Sequence, residues 1–161
     1  MAEFFKALFH WNPPSHCVGI HSWEWCTGGN IPEDAVHGGT DADGGDIYVG
    51  RAMHMGDLLP AKVCPHHGCA FVSWNGEEIR IYAYEVLKST HAAWKEAYGG
   101  DIPSEAIRVG QTAHGEFLFV GRTFHEGTLT VGKVHPSHGV LYIPFGGREI
   151  SYRKYEILVL C

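Results

Sequence analysis

The chain repeats itself. Residues 23–87 align with residues 94–158 without a gap at an offset of 71, and 26 of the 65 paired positions are identical. Unrelated sequences of ordinary composition give roughly five identities over such a span. Whatever fold the first copy adopts, the second must adopt too, and neither can be read alone. Two copies of this length are too few for a solenoid. We therefore expect one compact body of two pseudo-symmetric halves, with residues 1–22 as an N-terminal arm outside the repeat.

The pattern inside each copy is that of short strands. Segments 46–52 and 117–123, 59–64 and 130–135, 69–74 and 140–145, and 77–87 and 148–158 carry the β-type patterning. Ile79, Ile81 and Ala83 alternate with Arg80, Tyr82 and Tyr84, the two-residue period of a strand. Asn75-Gly76 and Gly146-Gly147 separate the last two segments of each copy and suit two-residue hairpin turns. Residues 89–98 read alone as a capped helix, but their counterpart at 18–27 reads as a strand. Two copies share one fold, so both Trp segments are expected to be strands and local propensity loses. The fold class is all-β, built of tandem repeats of short antiparallel strands.

Composition narrows the partners. The formal net charge is −6, from 12 basic and 18 acidic residues, with no basic cluster. Nucleic acid needs a basic footprint, so it is not an expected partner. No apolar run is long enough to span a bilayer, so stable membrane insertion is not expected. Glu3 and Lys6 interrupt the apolar N-terminus and no small-residue cleavage site follows, which argues against a signal peptide. A cytoplasmic location is the simplest expectation, with release by a route that needs no signal peptide left open. Five cysteines fit a reducing compartment. Phe4, Phe5, Leu8 and Phe9 fall at helical spacing before Pro13-Pro14, giving an arm that packs on the body, on a second subunit or on a membrane surface.

Several motifs suggest chemistry and mostly fail on inspection. Gly127 to Lys133 begins like a phosphate-binding loop, but Val134 stands where the Ser or Thr belongs. Asp41, Asp43 and Asp46 open like a calcium loop, yet Ala52 replaces the bidentate Glu. Cys64, His66, His67 and Cys69 lack the paired spacing of structural zinc sites and read as buried thiols beside turn histidines. Asp41 and Asp43 as a glycosidase pair have no carboxylate counterparts in the second copy. No nucleophile with a base is recognisable, so no enzyme activity, cofactor or metal is expected. Arg51 and Arg122 recur inside apolar strands and call for a repeated carboxylate partner such as Glu85/Glu156 or Glu78/Glu149. Lys62 and Lys133 recur as well, either as solvated edge residues or as binding groups.

The stretch from Gly38 to Val63, with Gly29-Asn30-Ile31-Pro32 and Ala35-Val36 before it and Tyr84-Glu85-Val86-Leu87 after it, resembles the DM9 repeat, or natterin-like, family. The second copy repeats the motifs at Gly100 to Ile107, Phe119 to Thr123, Lys133-Val134 and Tyr155 to Leu158. On this resemblance residues 23–87 are the first repeat and 94–158 the second. Members similar to bivalve mannose lectins imply a metal-independent carbohydrate-binding protein of innate immune recognition, assembled as a homodimer or higher homo-oligomer. The partners implied are mannose or mannose-type glycans on microbes or glycoproteins. The resemblance carries sugar contacts onto Asp41 and Lys62, with Asp43 beside them. The second copy keeps Lys133 but has Thr112 opposite Asp41. The alternative is a protein-interaction or membrane-associated module acting through the arm.

Overall fold

In the computed structural model, residues 20–160 are described, so the expectations for the phenylalanines of the arm lie outside the described residues. The first repeat forms β1 (Ser22–Thr27), β2 (His37–Thr40), β3 (Asp46–His54), β4 (Asp57–Cys64), β5 (Cys69–Trp74), β6 (Glu77–Ile81) and β7 (Ala83–Lys88). The second forms β8 (Ala92–Tyr98), β9 (Gly110–Gln111), β10 (Phe117–His125), β11 (Thr128–His135), β12 (Val140–Phe145), β13 (Arg148–Tyr152) and β14 (Lys154–Leu160). Both Trp segments are strands, β1 on β7 and β8 on β14. The expected continuous strand at 77–87 is instead two. It bends at Tyr82, because β6 pairs with β5 whereas β7 must turn to pair with β3 and β1. The second copy bends at Arg153 for the same reason.

The strands make one antiparallel sheet, closed on itself through the β3–β4 and β10–β11 hairpins. The repeats are exchanged rather than set side by side. Thr40 of β2 pairs with Leu129 of β11, and Gln111 of β9 pairs with Leu58 of β4. These two contacts are copies of each other under the 71-residue offset. A third, Glu77 with Arg148, joins two equivalent positions across the pseudo-axis. Close crossing dictates the paired glycines there. A Cβ on Gly39 would strike the Leu129 carbonyl, and one on Gly110 the Leu58 carbonyl.

The core follows the exchange. One cluster gathers mainly first-repeat residues around Leu59, Val63, Val72 and Tyr84, with Leu118 of the second repeat added. Another belongs to the second around Leu141, Ile143 and Ile157. Between them Val36, Ile47, Val49 and Leu87 pack with Val109, Val120, Val131 and Leu158. Burying one such Val or Leu contributes about 1.5–3 kcal/mol, so this mixed cluster makes each repeat depend on the other.

Candidate functional site

The recurring cations cross-stitch the repeats. Arg51 lies opposite Glu85 in register, hydrogen-bonds it at 3.3 Å, and reaches the Val109 carbonyl at 3.4 Å. Arg122 does the same with Glu156 at 3.2 Å and the Gly38 carbonyl at 3.1 Å. Each guanidinium also covers a repeat-opening indole, Trp23 or Trp94, at 3.9 and 4.3 Å. The partner expected for Arg51 and Arg122 is thus Glu85/Glu156.

Lys62 and Lys133 are not solvated edge residues. Both are 6% exposed, since β4 and β11 are held between neighbours on both sides. The Lys62 ammonium donates to the Pro144 carbonyl at 2.6 Å and sits 3.5 Å from Glu78. Lys133 donates to the Ser73 carbonyl at 2.8 Å and sits 3.6 Å from Glu149. Burial pulls the Lys133 ammonium below its usual value, against the opposing charge of Glu149.

Asp41 begins a tight turn. Its amide donates to the Gly45 carbonyl and its carbonyl accepts from Gly44. The Ala42 amide takes Asp41 Oδ1 at 2.9 Å, which leaves Oδ2 facing outward. There it meets two imidazoles: His66 Nε2 at 3.0 Å and His67 Nε2 at 3.3 Å. Asp43 Oδ1, held by the Gly45 amide, lies 3.5 Å from His66 Nε2. Burial alone would raise the Asp41 carboxyl, but His66, the Ala42 amide, Lys62 and His67 together hold it below its usual value. The histidines arrive on a 3-10 turn, Pro65–His67, that links β4 to β5.

From Asp41 the contacts run inward. The His67 ring stands edge-on to Phe71 at 6.2 Å, and Phe71 pairs with Lys62 across β4 and β5. The Lys62 ammonium and the Arg80 guanidinium lie 5.3 and 5.4 Å from the Phe71 ring. Asp41 and Lys62 therefore belong to one patch, joined through His67 and Phe71. Sequence reading placed His66 and His67 with Cys64 and Cys69. The structure has buried thiols beside turn histidines, as that reading preferred: both thiols are free and fully buried, and burial pushes the Cys64 thiol up to about 12. Asp46 also leaves the acidic group, to bond His37 at 2.9 Å.

The second repeat keeps the turn and loses the cluster. Thr112 accepts from the Glu116 amide at 3.1 Å. Glu116, which stands where Gly45 does in the first copy, fills the space with its carboxylate, bonded to His135 at 2.8 Å and to the Ser137 hydroxyl at 2.7 Å. In the first copy that space holds the His66 ring, only 2.5 Å from where a Cβ on Gly45 would sit. Where the first copy has Gly45 and His66 the second has Glu116 and Ser137, a paired difference between the copies that the sequence alone did not point to. Gly127 to Lys133 enters β11 directly, with no helix after it. An open cleft of about 470 Å³ on the second repeat, lined by Tyr98, Ile102, Pro103 and Lys154 among others, shares no residue with the Asp41 cluster.

The family model of the DM9 repeat matches residues 41–152. The chain belongs to the DM9 repeat family. This DM9 protein is 27% identical to Natterin-4 of Thalassophryne nattereri over 142 residues, covering 84% of the chain and 33% of Natterin-4. It is 31% identical to Natterin-1 of the same fish over 67 residues, 42% of the chain and 17% of that relative. The DM9 chain thus spans a third or less of the length of these curated relatives. The crystal structure of the nematode sperm cell motility protein MFP2B superimposes with a TM-score of 0.61 at 15% identity, over 89% of the DM9 chain and 48% of that chain. That likeness is one of fold.

Proposed function

We propose that this DM9 protein binds neutral glycans of the mannose type, as displayed on microbes and glycoproteins, through the first-repeat patch around Asp41, and serves in innate pattern recognition. What supports the reading is the continuous path Asp41–His67–Phe71–Lys62. Sugars present vicinal hydroxyls over an apolar ring face, and sites for small ligands pair a few convergent polar groups with aromatic side chains. A carboxylate accepts from hydroxyls and imidazoles donate or accept, while the buried Lys62 ammonium, with two of its three donors on Pro144 and Glu78, lies behind the Phe71 ring. Asp43, more exposed than Asp41, adds a rim acceptor.

The second copy is the weaker site. Thr112 is occupied by the Glu116 amide and Lys133 by Ser73 and Glu149. A lost charge-assisted bond costs about 1–2 kcal/mol, near tenfold in affinity. Single-sugar affinities are low, so useful avidity needs several copies on one particle. Among the described residues β1 and β8 end the strand order outside the closing pairings, and such edges are surfaces on which another copy of the chain would add to make a homodimer.

Calorimetric titration with mannose tests the reading. Heat with the native chain, reduced at least about tenfold in affinity by Asp41→Asn with the fold intact, is the expected outcome. No heat with mannose or with a panel of neutral sugars would remove it.

A further inference from the structure

We infer that Asp41, Asp43, His66 and His67 form a binding site for a divalent transition metal ion of the zinc type, present in the first repeat and lost from the second. The inference goes beyond the carbohydrate reading and does not rest on it.

The geometry is the first argument. One ligand atom from each of the four side chains lies within 4.8 Å of every other. An ion held tetrahedrally by imidazole nitrogen and carboxylate oxygen at about 2.0–2.1 Å sets its ligand atoms roughly 3.3 Å apart. Asp41 Oδ2 lies 3.0 Å from His66 Nε2 and 3.3 Å from His67 Nε2, and His66 Nε2 lies 3.5 Å from Asp43 Oδ1. These are three of the six edges of such a tetrahedron, and the other three lie within 4.8 Å. All three are longer than the usual charge-assisted imidazole–carboxylate hydrogen bond.

Orientation is the second argument. Metal-binding carboxylates are steered by bonds to their other atoms. The Ala42 amide holds Asp41 by Oδ1, turning Oδ2 toward both rings, and the turn's Gly45 amide positions Asp43. Both imidazoles present Nε2 to the same oxygen, with ring centroids 4.3 Å apart. One cation placed between them would meet both ring nitrogens and the carboxylates together.

The third argument is the second repeat, which is an internal control. There Thr112 replaces Asp41, Ser137 replaces His66, and Glu116 fills the ring's space with a carboxylate already bonded to Ser137 and His135. The stacked His135 and His138 rings lie 3.6 Å apart, and Thr112 and His114 stand at the positions of Asp41 and Asp43. The donor set also selects the ion. Two nitrogens and two oxygens suit zinc, cobalt or nickel, while calcium takes six to eight oxygens.

The test uses the full chain after chelator treatment, with Zn²⁺ in calorimetry and Co²⁺ in visible absorption. The native chain should bind one tight Zn²⁺ and give a cobalt spectrum without thiolate charge-transfer bands. The double variant His66→Gln/His67→Gln, and separately the near-isosteric Asp41→Asn, should bind more than about a hundredfold more weakly, beyond the 10–100-fold of an outer partner. His138→Gln should bind as the native chain does. Thermal melts establish that each variant folds. Native-like zinc affinity in the folded His66→Gln/His67→Gln variant, or thiolate bands with cobalt, overturns the proposal. Mannose titration of the same samples reads the other question separately. Zinc without mannose binding leaves this site standing and removes the carbohydrate reading, and mannose without zinc binding does the reverse.

Discussion

Lys62 donates a 2.6 Å hydrogen bond to the carbonyl of Pro144, a residue of the other repeat. Lys133 returns the bond to Ser73, the position equivalent to Pro144 in the first repeat. Two buried ammonium groups thus tie the repeats reciprocally, each beside its own glutamate. Breaking a buried pair by removing one partner costs about 3–5 kcal/mol. Lys62→Met should therefore lower unfolding free energy by about 3 kcal/mol in chemical denaturation. Adding Glu78→Gln should recover part of that loss, because it removes the stranded charge. A Lys62→Met chain as stable as the parent would show that the bond across the repeats holds nothing together.

Glu116 is the acceptor for three donors at once, the Ser137 amide and hydroxyl and His135. Glu116→Ala leaves them without it, and a partly buried polar group so stranded costs about 1–3 kcal/mol. The converse change in the first repeat, Gly45→Glu, should push the His66 ring off Asp41. Combining it with His66→Ser recreates the second-repeat arrangement, so the pair should couple by about 1 kcal/mol in a double-mutant cycle. Strict additivity of the two changes would sink this account of how the copies diverged.

Burial pulls the His135 imidazole below its ordinary value, and the bond to Glu116 only partly opposes this. The folded group is therefore less basic than the unfolded one. Between its folded value and the ordinary 6.5, the unfolded chain binds more protons, so stability rises with pH there. That contribution is complete above 6.5 and is lost on acidification. Glu116 acts in the same direction at lower pH. Burial alone would raise its carboxyl, but the Ser137 and His135 bonds outweigh it and hold the group below 4.5. Melting temperatures of the native chain should fall from neutral pH toward pH 5 more steeply than those of His135→Gln. Parallel curves would contradict the assignment.

Cys64 has no exposed surface, and its thiol is pushed up to about 12. At pH 8 the thiolate is then about one part in ten thousand of the folded population. Labelling with a thiol reagent, read site by site by mass spectrometry, should modify Cys64 at the rate of unfolding and no faster. Rapid native-state labelling would mean that β4 opens locally.

The 71-residue recurrence and the Asn75-Gly76 and Gly146-Gly147 turns made most of the hairpins legible, and shared ancestry rightly overruled the helical look of residues 89–98. Local pattern does not record partner choice, so the bend at Tyr82 and the pairing of Thr40 with Leu129 were invisible. The Asp41 cluster was half legible for the same reason. Asp41 and His66 are 25 residues apart, and nothing between them encodes that the turn after β2 meets the turn after β4. His66 and His67 therefore read only as turn histidines beside buried thiols, and their meeting with Asp41 was the part the sequence did not record.

The exchange of β2 and β9 carries a message about descent. In each repeat a short strand completes the sheet of the other, and the crossing strand pairings have their mirror under the same offset. A gene encoding one repeat would yield a chain whose short strand pairs on one side only, with its own β3 or β10 equivalent, and two such chains could complete each other. Tandem fusion then converts a symmetric pair of subunits into one polypeptide. It frees one half to mutate without the other changing in step, as Gly45 and Glu116 have done.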